Sequence, residues 1–313
     1  MKLNPSATGF LFPGQGSQTV GMGQALAASF PIAAAAFQEA DSILGVSLST
    51  IMWTGTEAEL NDTVNTQPAL FVHSLAAFKV FENLYPTARP AAVAGHSLGE
   101  LSAFAAAGVF SFEDGLLLVR KRGELMKLAG ERMPGSMAAI LNLDIPALEK
   151  VCAEASTAAE PVQVANDNCP GQVVISGSKP AVERAMLGAK AAGAKRAIPL
   201  AVSIAAHSGL MASIQDEWND AVNGVAMQEP NTRIIGNVRA TVIQSVADAR
   251  TDIQMQMQSR VRWTESIEHM AQKGASAFVE VGSGNVLQGL GKRIAPAIPC
   301  YPLGNPGDFS ALE

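Results

Sequence analysis

Short, fully apolar runs alternate along the chain with longer stretches whose apolar residues recur at helical spacing. Gly9 to Phe12 reads as a buried strand ended by Pro13 and Gly14, and Ala91 to Ala94 and Ala277 to Val281 read as two more. Helical patterns cover Ala69 to Leu84, Leu98 to about Ala107, and Phe112 to Leu128, the last with Ser111 as N-cap. Alternation of this kind predicts an α/β fold.

The middle of the chain has its own rhythm. After the punctuation at Arg132 to Ser136 come a strand (Met137 to Leu143) and a helix (Pro146 to Ala155) with Asp144 as a candidate cap. Two strands follow, Val162 to Ala165 and Val173 to Gly177, separated by Asn166 to Gly171. A helix (Pro180 to Ala191) and a strand (Arg196 to Leu200) close the series. The order is βαββαβ, the ferredoxin-like pattern. It predicts a small domain over 131–201 inserted into a large α/β domain made of 1–130 and 202–313. No repeat or low-complexity tract interrupts this layout.

Composition narrows the function classes. The 313 residues are 48% hydrophobic and 16% charged, a globular balance long enough for a substantial core. A net charge of −6 argues against a broad nucleic-acid footprint, which needs an excess of Lys and Arg. Three cysteines, widely spaced and without a CxxC, argue against a disulfide framework or a zinc site and fit a reducing compartment. Met1 to Gly9 holds one Lys and no long apolar region, so no secretory signal is expected. The longest weakly polar run, Ala25 to Phe37, is too short to span a bilayer and is interrupted by Pro31. The expectation is a soluble, cytoplasmic protein with no membrane and no nucleic-acid partner.

Gly95-His96-Ser97-Leu98-Gly99 is the strongest local signal. It matches GxSxG between a strand and a helix, the context of a nucleophile elbow. The glycines permit a sharp turn, Ser97 projects from it, and the Leu98 amide at the helix start is aimed at an oxyanion. A nucleophilic serine needs a base, and there are four histidines. His73 lies inside an apolar helix pattern, His269 reads as surface, and His96 is adjacent to Ser97, where it either lines the cleft or supports the turn. His207 remains by elimination. Phe12 to Gln18 is a glycine-rich loop after a strand, but it continues neither as GxGxxG nor as a P-loop. It is either a tight turn or the source of a second oxyanion donor. Gly282-Ser283-Gly284 reads as structural. Arg120-Lys121-Arg122 ends an apolar helix stretch; a guanidinium among them that reached the cleft would select a carboxylate-bearing acyl group, and the pattern leaves open which one.

Taken in order, these motifs resemble the malonyl-CoA:acyl-carrier-protein transacylase family over nearly the whole chain. The matching stretches are Gly14 to Gln18, Gly95 to Glu100, Arg122-Gly123 with Met126, Pro170 to Gly177, Val261 to Ser266, Glu280 to Gly282, and Lys292-Arg293. The resemblance implies an α/β-hydrolase-like large domain with a ferredoxin-like insertion. It implies Ser97 as acylated nucleophile, His207 as its base, and Arg122 as the holder of the malonyl carboxylate. It also implies that the backbone amides of Gln15 and Leu98 form the oxyanion hole, and that the backbone carbonyl of Gln256 orients the histidine. The sequence departs from the family at Arg260, where Pro is usual and a looser loop is expected. It departs again at Ala206, where Phe or Ser is usual and room for methylmalonyl is expected.

The implied reaction is ping-pong transfer from malonyl-CoA to the phosphopantetheine thiol of acyl carrier protein, supplying extender units for fatty-acid synthesis, with no resident cofactor and no metal. An acidic carrier would meet a local basic face at Lys195–Arg196, Arg260–Arg262 or Lys292–Arg293. The competing readings are a free-standing polyketide-pathway acyltransferase, the malonyl-transfer subunit of malonate decarboxylase, and a serine hydrolase or thioesterase.

Overall fold

Thr8–Phe12 (β1) is buried at every position, as a strand covered on both faces must be. The computed structural model describes residues 3–310; Met1 and Lys2, the front of the stretch read above for a secretory signal, lie outside them. β1 is the middle strand of a parallel sheet in the order β10-β9-β1-β2-β7, with β2 at Ala92–Gly95, β7 at Ile234–Ile235, β9 at Ala277–Val281 and β10 at Cys300–Leu303. Pairing of Phe12 with Gly95 sets the ends of β1 and β2 side by side. The loops leaving them therefore emerge together at the carboxyl edge of the sheet, where open α/β sheets place their sites.

Helices α1 (Gln24–Ser29), α2 (Pro31–Leu44), α3 (Leu48–Thr54) and α4 (Glu57–Asn61) lead from β1 to the long α5 (Thr63–Leu84). Phe10 and Phe12 of β1 meet Phe78 and Phe81 of α5 edge to face, with centroids 4.8 Å apart for Phe10 and Phe81. α5 starts six residues before its expected start at Ala69. Asp62 caps it by accepting from the Val64 N–H, and Pro68 lies inside. A proline removes the N–H that would serve the carbonyl four residues back. That carbonyl, on Val64, accepts instead from Arg120 Nη1 at 3.2 Å. Arg120 sits on α7 (Phe112–Arg132), which follows α6 (Leu98–Ala106) and is capped by Ser111 as expected.

The second sheet has the order β6-β3-β5-β4-β8, with β3 at Gly135–Leu141, β4 at Val162–Cys169, β5 at Gln172–Ser178, β6 at Arg196–Pro199 and β8 at Val261–Arg262. The first four are antiparallel, in the arrangement expected of βαββαβ. Helices α8 (Ile145–Ala155, capped by Asp144) and α9 (Lys179–Ala191) bury Leu148, Val151, Ala181 and Ala185 against Ile140, Val164 and Ile175 in a core separate from that of the parallel sheet.

Three further features differ from expectation. β4 runs through Asn166 to Cys169, leaving only Pro170–Gly171 as the hairpin turn, with Gly171 at φ 74°. The polar residues tolerate a strand because Asn166 and Asp167 pair with β8 and Asp167 accepts from Thr264 Oγ1 at 2.7 Å. β7 and β8 are two residues each, too short for a periodicity to register. β10 contains Pro302, which an edge strand accommodates. α10 (Gln215–Gly224), α11 (Val246–Gln256), α12 (Trp263–Gln272), α13 (Val286–Ile294) and α14 (Pro306–Ser310) complete the chain, and no helix among the described residues is long and apolar enough to cross a membrane.

The junction of β2 and α6 leaves no room for side chains. A Cβ on Gly95 would lie 1.9 Å from the Gly99 carbonyl, and one on Gly99 would lie 2.0 Å from the Phe12 oxygen. Gly99→Ala is expected to destabilise the protein by about 2 kcal/mol or more, since backbone atoms cannot step aside. Urea unfolding with an unchanged midpoint would show that the junction is looser than this.

Candidate active site

The turn after β2 is strained. Ser97 has φ 53° and ψ −108°, outside the regions open to a non-glycine residue without cost. Buried Asn237 holds it there. Its Oδ1 accepts from the Ser97 N–H at 2.9 Å, and its Nδ2 donates to the Gly95 carbonyl at 2.7 Å. The strain lifts the hydroxyl out of the turn and starts α6 at Leu98, whose N–H is one of the first-turn donors that no helical carbonyl can reach.

His207, also at positive φ (57°), places Nε2 2.7 Å from Ser97 Oγ. Its Nδ1 faces two carbonyls, Gln256 O at 3.0 Å and Ser259 O at 3.1 Å. Carbonyls only accept, so Nδ1 carries the proton and Nε2 is left to accept from the serine. The dyad is oriented by backbone and needs no third carboxylate. Gln163 braces this loop, donating to His207 O and Gln258 O at 3.2 Å each. Burial, and then the nearby Arg122 charge, push the His207 pKa down to about 3, so the ring is neutral at physiological pH.

Of the basic run Arg120-Lys121-Arg122 on α7, Arg122 points inward. It is 1% exposed, whereas Lys121 is exposed and Arg120 pairs with Glu124. Gly123 makes this possible, because any Cβ there would stand 2.8 Å from Thr63 O and hold α7 away from α5. Arg122 Nη1 donates to Gln67 Oε1 at 3.0 Å, and Nη2 donates to Gln256 Oε1 at 2.7 Å and to Ser97 Oγ at 3.3 Å. Its Nε is buried with no partner among the described residues. Burial lowers the guanidinium pKa to about 10, which still leaves it charged.

Gln15 lies on the loop after β1, its side chain donating to Thr63 Oγ1 at 3.3 Å. The loop is pressed onto the elbow, since a Cβ on Gly14 would lie 2.3 Å from His96 O. Ser283 Oγ braces it from the other side by donating to Ser17 O, a structural use of the second glycine-rich turn. His96 turns away from Ser97. Its Nε2 meets Asn168 Oδ1 at 2.8 Å and its ring meets Trp263 edge to face, tying the elbow to the second sheet. His73 is a buried helix histidine whose Nε2 bonds to Gly304 O and whose Nδ1 has no partner among the described residues, and His269 is half-buried where a surface position was expected. Arg260 pairs with Glu149 of α8 at 2.9 Å, a tie that the usual Pro could not make.

Sequence reasoning missed Asn237, Gln67, Gln163 and the supporting use of Glu100. Asn237 is 140 residues from Ser97 and lies in no motif, so nothing local marks it.

The sequence profile of the acyl transferase domain family matches residues 9–294. The chain is 42% identical to the malonyl CoA-acyl carrier protein transacylase of Haemophilus influenzae, covering 97% of both. Its structure is similar to that of an acyl carrier protein S-malonyltransferase from Vibrio cholerae (TM-score 0.94, 39% identity, 98% of this chain and 100% of that one). It is similar also to a malonyl-transacylase solved with a type II PKS acyl-carrier protein (TM-score 0.93, 39% identity, 97% and 98%).

A depressed His207 pKa predicts that Ser97 keeps its reactivity in mild acid. Labelling by a fluorophosphonate should stay level from about pH 7.5 to about pH 5, well under the ordinary histidine midpoint near 6.5. Arg122→Met, which removes the charged neighbour that contributes most after burial, should move the acid limb upward. The unfolded chain takes up the His207 proton first, so this group makes stability rise between about pH 3 and about 6.5 and leaves it level above. A labelling rate that falls with a midpoint near 6.5 would contradict the assignment.

Proposed function

The chain belongs to the malonyl CoA-acyl carrier protein transacylase family, and on that premise we propose that it moves a malonyl group from malonyl-CoA to the phosphopantetheine thiol of acyl carrier protein through an ester on Ser97. His207 Nε2 takes the Ser97 proton as Oγ attacks the thioester carbonyl. The N–H groups of Leu98 and Gln15 receive the oxyanion, each worth roughly 10²–10³ in rate. His207 returns the proton to the departing CoA thiolate and the malonyl-serine ester remains. The carrier thiol then gives its proton to His207, attacks the ester, and Ser97 is restored, which is ping-pong chemistry.

The observation that supports this reading best is Arg122. A buried guanidinium 3.3 Å from the nucleophile, with an unpartnered Nε, suits an acyl group that ends in a carboxylate. A general esterase has no use for it. His96 supports the turn in this reading, and Gln256 orients His207 through its carbonyl. The division into 1–130 with 202–313 and the insertion 131–201 belongs to the same reading, as do a cytoplasmic setting and the lack of a resident cofactor. For the acidic carrier we favour Lys195–Arg196. Both are exposed, whereas Arg260 and Arg262 pair with Glu149 and Glu265, and Arg293 bonds to Gln172. The carrier complex among the structural relatives favours a second reading, a polyketide carrier as acceptor in place of a fatty-acid one.

Malonyl-CoA is expected to leave one malonyl adduct by intact mass. The adduct should be absent in Ser97→Ala and discharged by the holo-carrier that is the true acceptor. Arg122→Ala should lose malonyl transfer by roughly 100-fold, the worth of a charge-assisted buried contact, and gain acetyl transfer. Steady CoA release without an adduct would point to a hydrolase, and an unchanged acyl preference in Arg122→Ala would remove the role of that residue.

A further inference from the structure

Behind the dyad lies a second buried cluster that the mechanism above does not use. Glu100, in the first turn of α6, is fully buried, and Asp252 of α11 is 6% exposed. The two carboxyl groups face each other, and Asp252 Oδ2 is buried with no N–H or O–H partner among the described residues, an acceptor left open for a carboxyl proton. Two carboxylates in contact away from water cannot both ionise, so a proton lies between them. Burial and the Asp252 charge raise the Glu100 pKa well above the ordinary range. Asp252 is raised by burial but is steadied as an anion by the Glu100 hydrogen bond, the N–H groups of Val238 and Asn237, and the charge of Arg239. Glu100 therefore holds the proton and Asp252 the charge.

The pair reaches the reacting groups through two residues, Asn237 toward the Ser97 turn and Gln256 toward Arg122 and His207. Glu100 Oε1 accepts from the Asn237 N–H and Oε2 accepts from Gln256 Nε2. Asp252 and Gln256 stand four apart on α11, hence on one face. The Gln256 amide is thus read from both ends: its Nε2 donates to Glu100 and to Ser97 O, and its Oε1 accepts from Arg122 Nη2. Its backbone carbonyl accepts from His207 Nδ1. A flipped amide would turn its NH₂ toward the guanidinium, donor against donor.

We propose that Glu100 and Asp252 are a positioning pair, one carboxylic acid and one carboxylate, that sets the polarity of the Gln256 amide and through it aims Arg122 at the acyl carboxylate while holding His207. Glu100 stands behind Arg122 on the protein side, joined to it through the Gln256 amide. This goes further than the malonyl-transfer reading and, for acyl selectivity, rests on it.

Glu100→Gln tests the pair. Whichever oxygen becomes NH₂ then faces an N–H donor, from Asn237 or from Gln256. The ratio of malonyl to acetyl labelling of Ser97 is expected to fall roughly tenfold to a hundredfold, the size of a misaimed contact. The loss should be absent in a Gln256→Ala background, because the effect travels through that side chain. The protonated-carboxyl C=O stretch of the pair should be present in the infrared spectrum of the wild type at neutral pH and lost in Glu100→Gln. Should that variant fail to fold, Asp252→Asn gives the second test. Its amide donates to Glu100 and moves the charge there, so the same band should disappear. An unmoved selectivity ratio, equal losses in both Gln256 backgrounds, or a band that survives in Asp252→Asn would each overturn the proposal. If wild type takes a fluorophosphonate at Ser97 but no malonyl group, the functional reading fails instead, and the infrared band with the same cycle run on fluorophosphonate labelling still judges the pair.

Discussion

A guanidinium held out of water beside a serine hydroxyl constrains everything around it. Removing such a charge from solvent carries an effective penalty of several kcal/mol, offset only where the surroundings supply well-placed acceptors. Around Arg122 these are neutral oxygens, on Gln67, Gln256 and Ser97, with the nearest anionic pair set one residue further back. The arrangement keeps the cation in place without neutralising it. A carboxylate in direct contact would satisfy Arg122 and leave it nothing to offer an incoming acyl carboxylate.

The same constraint accounts for the form of the dyad. A serine–histidine pair is commonly steadied by an acid. Here an aspartate behind His207 would bring a full negative charge close to Arg122. Two backbone carbonyls orient the ring instead, from Gln256 and Ser259, and they add no charge. With burial and a cation both disfavouring the imidazolium, His207 rests neutral and ready to accept a proton. Gln256 joins the two halves, its backbone serving the histidine and its amide serving the arginine.

Both Ser97 and His207 sit at positive φ, so the site stores strain in each of its partners. Strain persists only where neighbours over-determine the backbone. Asn237 does this for the elbow by bonding on both sides of His96, and Gln163 does it for the histidine loop. The second sheet takes part as well. Its β4 carries Gln163 and Asn168, and its β8 follows directly on the segment that supplies Gln256 and Ser259. The joint between the sheets is therefore a working part of the site.

Features written in contiguous residues were legible in the chain. The elbow glycines, the Ser111 and Asp144 caps, the buried central strands and the βαββαβ order all rest on neighbours within a turn or a strand, and the structure has them. The family resemblance extended that reach to Arg122 and Gln256. Beyond it, local pattern was silent or misled. Asn166 to Asn168 look like a loop because they are polar, yet Asn166 and Asp167 pair with β8, 95 residues further along, and the stretch stays extended. Nothing in Arg120-Lys121-Arg122 says which cation is buried; the close approach of α5 and α7 at Gly123 decides it. Asn237, Asp252 and Gln67 have no local signature, because a buried hydrogen bond is defined by the groups that enclose it, and those arrive from distant parts of the chain. Sequence determined the elements and the nucleophile's turn through short-range sterics and periodicity. Only the packed tertiary structure decided charge, protonation and aim, since these depend on which groups are excluded from water together.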